Sequence, residues 1–132
     1  MLEIPADLKC STDHLWVRPV DGTSLVRAGV TDFAQQSLGE VVEVTPPRPG
    51  DAITASEACG DIESVKSISD LIAPVTGTVR TRNDDLASAP ELVNTDPYGQ
   101  GWLFDVEIDP SALNEQLASL MDAGAYRSMA DA

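Results

Sequence analysis

Positive charge is scarce in this chain. Eight Lys and Arg stand against 22 Asp and Glu, for a formal net charge of −14 and a pI near 4.1. A field that negative repels phosphate backbones and anionic lipid, which excludes nucleic acid and membranes as partners and favours surfaces with basic patches. Long hydrophobic runs are missing too: nothing approaches the roughly 20 apolar residues of a membrane span. The start, Met1-Leu2-Glu3-Ile4-Pro5, lacks the basic and apolar regions of a signal peptide and the arginine-rich pattern of a transit peptide. A cytoplasmic location is therefore expected. The two cysteines, Cys10 and Cys59, form no metal-ligand spacing and are expected as free thiols. No Gly-rich phosphate loop, metal cluster or activated nucleophile is present. Cys10, Asp13 and the single histidine, His14, are close in sequence, but neighbours on a strand alternate faces and make no triad. His14 therefore reads as a surface or partly buried strand residue, and Trp16 and Trp102 as core. No catalytic residue and no metal is expected.

What is there suits one β-rich domain. The chain has 132 residues, 42% of them apolar, enough for a real core. Leu15–Arg18 and Ser24–Ala28 read as a hairpin turning at Asp21-Gly22. Thr31-Asp32 offers an N-cap to a short helix ending at Gly39. Short strands follow at Glu40–Val44, Ala52–Thr54, Ala58–Ile62, Ile68–Ile72, Thr78–Arg82, Glu91–Asn94 and Trp102–Ile108. Their regular spacing predicts a sandwich or flattened barrel.

An internal echo runs through the strands. Gly39–Val44 and Gly77–Arg82 each place a glycine before a strand, and Pro49-Gly50-Asp51 is loosely matched by Ala89-Pro90-Glu91. Chance likeness and two packed half-motifs of about 38 residues both account for it. The end reads as helix: Asp109 as cap, Pro110 in the first turn, Leu113, Leu117 and Leu120 at helical spacing, and Gly124 as the stop. Ala125–Met129 adds a turn before a frayed terminus. Asp84-Asp85 reads as a solvated turn.

Lysine is rarer still. Only Lys9 and Lys66 occur, and Lys66 lies between two strand-like runs, Ala58–Ser64 and Ser67–Ile72. A hairpin reversing near Lys66 puts its amine at an exposed point on a stiff support. A modifying enzyme can close over such a turn, and an attached group can sweep from it. Glu63 is a charged recognition handle three residues before the lysine, and Ser64 and Ser67 are small enough to leave the amine accessible.

Glu63-Ser64-Val65-Lys66-Ser67, followed by Ser69-Asp70 and Pro74-Val75-Thr76-Gly77, resembles the lipoylation site of the glycine cleavage system H proteins. Asp13-His14-Leu15-Trp16-Val17 resembles that family's opening strand, and Gly29–Gln35 with Leu38–Val42 its helix and next strand. Leu92–Leu103 is similar to the late signature and Leu120–Tyr126 to the final helix, so the likeness runs from about Leu8 to Tyr126.

The resemblance implies a mainly β, flattened barrel–sandwich hybrid of the lipoyl-domain type. It would carry a short helix in the N-terminal half and a helix at the C-terminus, and residues 1–132 would form one carrier domain with a core of about 8–126. It implies lipoic acid in amide linkage on Lys66, an arm reaching about 10–15 Å, and a non-catalytic role. The implied site is Lys66 with Glu63, Ser64, Val65, Ser67 and Asp70. By the same resemblance, glycine decarboxylase (pyridoxal-phosphate dependent) would load an aminomethyl group on the arm and a tetrahydrofolate-dependent aminomethyltransferase would unload it. Dihydrolipoyl dehydrogenase would reoxidise the dithiol, and a lipoate ligase or lipoyl transferase would attach the group. The loaded arm would shelter in a cleft, with Asp70 the foremost expected acceptor and Asp13 and Ser37 further ones. Two positions depart from the family pattern: Leu15 stands where Glu is common, and Ser37 where some members have His. Lipoyl domains of 2-oxo-acid dehydrogenases and biotin carriers are the alternatives. The first usually set Asp before and Ala after the lysine, and the second flank it with Met; Val65 and Ser67 stand there instead.

Overall fold

The computed structural model describes residues 4–130. In chain order its strands are Lys9–Cys10 (β1), Leu15–Pro19 (β2), Leu25–Val30 (β3), Val41–Thr45 (β4), Ala52–Ile53 (β5), Ala58–Ser64 (β6), Ile68–Ile72 (β7), Gly77–Arg82 (β8), Phe104–Glu107 (β9) and Met121–Asp122 (β10). The helices are Asp32–Leu38 (α1), Leu92–Thr95 (α2), Leu113–Ala118 (α3) and Ala123–Ala130 (α4). Two antiparallel sheets result, one ordered β10-β1-β2-β3-β9-β8-β5 and the other β4-β6-β7. They pack without closing into a barrel, as a mainly β sandwich with a few helices. The ends of the expected domain, residues 1–3 and 131–132, lie outside the described residues, and so does the frayed terminus. Among the described residues no helix is long and apolar enough to cross a membrane.

Alternation explains the packing. Val26, Ala28, Val79 and Val106 of the large sheet and Val41, Ile62 and Leu71 of the small one are buried in one cluster. Each of the Val, Ile and Leu side chains contributes roughly 1.5–3 kcal/mol relative to exposure, and the Ala28 methyl less. A second cluster holds Leu8, Cys10, Trp16 and Tyr126. Trp16 is core, as expected, and its indole donates to the Pro97 carbonyl at 3.0 Å. Trp102 is only half-buried and carries the Arg27 guanidinium 3.9 Å from its ring centre.

Most elements fall where the sequence puts them, and α1 starts and stops on the residues expected. The Thr31 hydroxyl accepts from the Ala34 N–H at 3.2 Å, and Gly39 closes the helix at φ 77°. The Glu91–Asn94 run departs from expectation: it is helical (α2), not a strand. Pro90 has its φ already set for a first turn, and its carbonyl accepts from the Val93 N–H. Two adjacent apolar residues do not separate strand from helix. The echo consequently fails at its second corner, since Pro49-Gly50-Asp51 leads into β5 but Ala89-Pro90-Glu91 into α2. Its two glycines also serve different ends: Gly39 has a positive φ, whereas at Gly77 a Cβ would lie 2.3 Å from the Glu107 carbonyl oxygen.

The C-terminal stretch is likewise not one helix closed by Gly124. Chain pairing interrupts it: Cys10 pairs with Met121 and Lys9 with Asp122. Helix α3 therefore ends at Ala118, and Asp109 caps only a preceding turn through the Ser111 N–H. Asp122 then caps α4 by accepting from Ala125 at 2.8 Å, and Gly124 lies inside that helix. Asp84-Asp85 opens a 3₁₀ turn over Asp84–Ala87, capped by Asn83.

Candidate functional site

Strands β6 and β7 are joined by three residues, Val65-Lys66-Ser67. Ser64 organises the turn from within. Its backbone N–H donates to the Ser67 carbonyl at 2.8 Å. Its hydroxyl accepts from Lys66 N at 3.2 Å and from Ser67 N at 3.3 Å. Ser64 is buried and bonds three groups of the turn, where the sequence credits it only with small size. Glu63 is half-buried, opposite both Glu43 and Ile68 in the sheet.

Lys66 itself is exposed. Its amine donates to the Ser37 carbonyl oxygen at 3.5 Å, a long contact near the end of α1. Among the described residues no carboxylate forms an ion pair with it. Its stem passes over Gly39, where a Cβ would stand 3.1 Å from Lys66 Cε. Val65 is 64% and Ile68 66% exposed, so the amine is flanked by bare apolar side chains.

A cleft of about 180 Å³ begins beside that carbonyl. Leu15, Phe33, Ser37 and Leu38 line one side, Ile62 and Leu71 the other. Asp13 and Asp70 border it, so the three residues expected from the resemblance, Asp70, Asp13 and Ser37, meet at one cleft. Alternation along β7 sets Asp70 on the sheet face opposite Leu71, level with Asp61 across the ladder, and leaves it exposed. Leu15 is 3% exposed and gives the cleft an apolar wall where the family pattern has a carboxylate. A larger groove of about 560 Å³ runs past Thr76, Arg80, Glu107 and Gln116, but it includes no residue of the lysine turn and nothing there offers a nucleophilic amine.

His14 also lines the cleft, at φ 69°. Its ring stacks on Phe33 with centres 4.6 Å apart, and its Nδ1 lies 2.7 Å from the Tyr126 hydroxyl. Burial lowers its pKa below the usual 6.5, against a weaker opposing pull from Asp13. The ring is a wall of the cleft and a tie to α4. The sequence does not single out Asn94, whose segment reads as a strand but is helical; its side chain bonds Gly39 and Val41 in the corner beside the lysine turn.

A family model described as glycine cleavage H-protein matches residues 8–132. A glycine cleavage system H protein of Mycobacterium avium is 52% identical over 128 residues, 96% of each chain. One of Mycobacterium tuberculosis is 50% identical over 130 residues, again 96% of each. The chain also superimposes on a crystal structure of a glycine cleavage system H protein from Mycobacterium marinum. The TM-score is 0.85 at 34% identity, covering 98% of this chain and 100% of that one.

Proposed function

The chain belongs to the glycine cleavage H-protein family, and from that premise we propose that it is a non-catalytic carrier whose Lys66 bears lipoic acid in amide linkage. Residues 1–132 act as one carrier domain in the cytoplasm. The arm takes the aminomethyl group of glycine from a pyridoxal-phosphate-dependent decarboxylase to a tetrahydrofolate-dependent aminomethyltransferase. Dihydrolipoyl dehydrogenase and a lipoate ligase or lipoyl transferase are the other partners.

One observation carries the reading: an exposed amine, in no ion pair among the described residues, stands at the tip of a hairpin whose backbone is tied on both sides, next to an apolar cleft. A freely swinging tail would not need so firm a root. Tethering on a fixed root raises the effective concentration of the carried group at each partner.

The residues present fit the group. Leu15, Phe33 and Leu38 offer an aliphatic chain a dry wall, and Asp13 and Asp70 give the rim negative charge that suits a cationic cargo, Asp70 from the outer face of β7. When bound, lipoic acid supplies a cyclic disulfide that accepts the aminomethyl group and is regenerated by oxidation. The chain's own part is to hold Lys66 out (Ser64 and Ser67 within the turn), to offer Glu63 and Val65 to the attaching enzyme, and to shield the cargo from water.

Intact mass tests this. Co-expression with a lipoate ligase should add one lipoyl increment to the native protein and none to Lys66→Arg. A biotin-sized increment, or a lipoyl increment kept by the variant, overturns the assignment. With the partner enzymes supplied, glycine decarboxylation should require the modified protein; full turnover by the unmodified form would end the swinging-arm reading.

A further inference from the structure

The lysine turn does not stand on β6 and β7 alone. The Val65 N–H leaves its own hairpin and donates to the Glu40 carbonyl at 3.0 Å, across to the corner that joins α1 to β4. The Lys66 stem lies over Gly39 in the same corner, and the Lys66 amine faces Ser37 just before it. Turn and stem therefore both rest on the short stretch from Ser37 to Val41.

Between the end of α1 and the start of β4, Gly39 and Glu40 have no regular structure to hold them. Gly39 sits at φ 77°, ψ −153°, outside both helix and strand, so the Gly39 carbonyl and the Val41 N–H need partners from elsewhere. One side chain supplies both. The Asn94 Oδ1 accepts from Val41 N at 2.9 Å, and its Nδ2 donates to the Gly39 carbonyl at 2.7 Å. The second Nδ2 hydrogen reaches Gln35 Oε1 at 3.1 Å, adding α1 to the clamp. The amide orientation is fixed by these partners, because one end faces a donor and the other faces two acceptors. Among the described residues the Asn94 hydrogen bonds go to Val41, Gly39 and Gln35 and not to Lys66 or the turn. It lies on α2, remote in sequence, and the helical form of that segment is what aims it at the corner.

We propose that Asn94 is a positioning residue for the carrier function: by clamping Gly39 and Val41 it fixes the corner that seats the lysine turn and the root of the arm. Asn is required rather than merely tolerated. Asp in its place sets a second oxygen against two acceptors, and Ala leaves both backbone groups without a partner. The inference rests on the proposed modification of Lys66 and goes beyond it in naming what aims that lysine.

The test measures acylation by a lipoate ligase and amide hydrogen exchange on wild type, Asn94→Ala, Asn94→Asp and Gly39→Ala. Gln116→Ala is the control, because it removes a remote clasp between α3 and Thr76. Both Asn94 variants should raise the ligase KM about tenfold with kcat little changed, as expected when only a fraction of turns stands in the competent pose. The Val65 amide should exchange at least about tenfold faster relative to Ile62 in the same sheet, since it is released by a local opening. Gly39→Ala should slow acylation similarly, by straining the corner at its positive φ and crowding the stem while the Asn94 side chain is kept. The control should change neither ratio. Wild-type-like acylation and Val65 exchange in Asn94→Ala overturn the clamp. So does an equal loss in Gln116→Ala, which would mean general destabilisation. If the wild type itself accepts no acyl group, the carrier reading fails and the role of Asn94 fails with it. An Asn94-specific loss against normal wild-type loading upholds both.

Discussion

The hydroxyls of Tyr126 and Thr31 lie 2.7 Å apart, and this contact ties the last helix to the cap of the first. Both residues are fully buried. The Tyr126 hydroxyl is also 2.7 Å from His14 Nδ1, so three side chains share one chain of hydrogen bonds. Burial pushes the Tyr126 pKa up to about 12, which keeps its proton in place at any ordinary pH. Tyr126→Phe removes the middle member and takes one partner each from the buried Thr31 hydroxyl, which keeps the Ala34 N–H, and from the half-buried His14 ring. Urea denaturation should show a loss of about 1–3 kcal/mol. An unchanged midpoint would mean that α4 is held by packing alone.

Ser64→Ala attacks the turn from inside. It deletes the acceptor for the Lys66 and Ser67 amides. Water reaches those amides on the exposed turn, so the expected cost is modest, about 1 kcal/mol. Exchange at the Lys66 and Ser67 amides should rise severalfold while the β6 and β7 interiors keep their protection. Unchanged exchange at Lys66 would show that the Ser64 hydroxyl does not shape the turn.

The sequence was legible where a residue acts through its own chemistry and its neighbours. Thr31 caps because its hydroxyl meets an N–H three residues on, and Gly39 stops α1 because it tolerates a positive φ; both follow from local rules. Lys66 stood out because the chain is so poor in lysine. The failures share a different cause. Leu113, Leu117 and Leu120 have helical spacing, but Met121-Asp122 pairs with a strand more than 100 residues earlier, and that pairing ends the helix. Glu91–Asn94 has too few residues to show a period. The contacts of Asn94 were not legible because two of its three partners are backbone atoms of Gly39 and Val41, which no side-chain pattern announces.

His14 should leave a signature in the pH dependence of stability. Its folded pKa is lowered, chiefly by burial, below the ordinary 6.5, so the unfolded chain binds the proton more readily. Stability from this residue is complete above the unfolded pKa and is lost as pH falls below about 6.5 toward the folded value. His14→Gln should flatten that part of the curve relative to wild type, as read from urea midpoints between pH 7 and pH 5. Parallel curves for the two proteins would show that the ring titrates alike folded and unfolded.

The thiols give a check on packing. Cys10 is fully buried and Cys59 half-buried, and burial pushes both pKa values up to about 11. Thiols react as thiolates, so both should be slow toward a disulfide reagent at pH 7.5. Cys59 should react first under native conditions and Cys10 only in denaturant. Rapid native labelling of Cys10 would contradict the packing of β1 against Trp16 and Tyr126.

Val65 and Ile68 are apolar, about two-thirds exposed, and on either side of the lysine. Folding gains little from them, so Val65→Ser and Ile68→Ser should each shift stability by about 0.5 kcal/mol or less. Their value lies in being covered by another protein. A closing enzyme that buries such a side chain gains about 0.8 kcal/mol per methylene-sized group, and about 1.4 kcal/mol is a factor of ten. Each substitution should therefore lower the kcat/KM of lipoate attachment by up to about tenfold with the fold intact by thermal denaturation. Attachment at the wild-type rate in both variants would mean that the ligase reads Lys66 without touching the turn's apolar flanks.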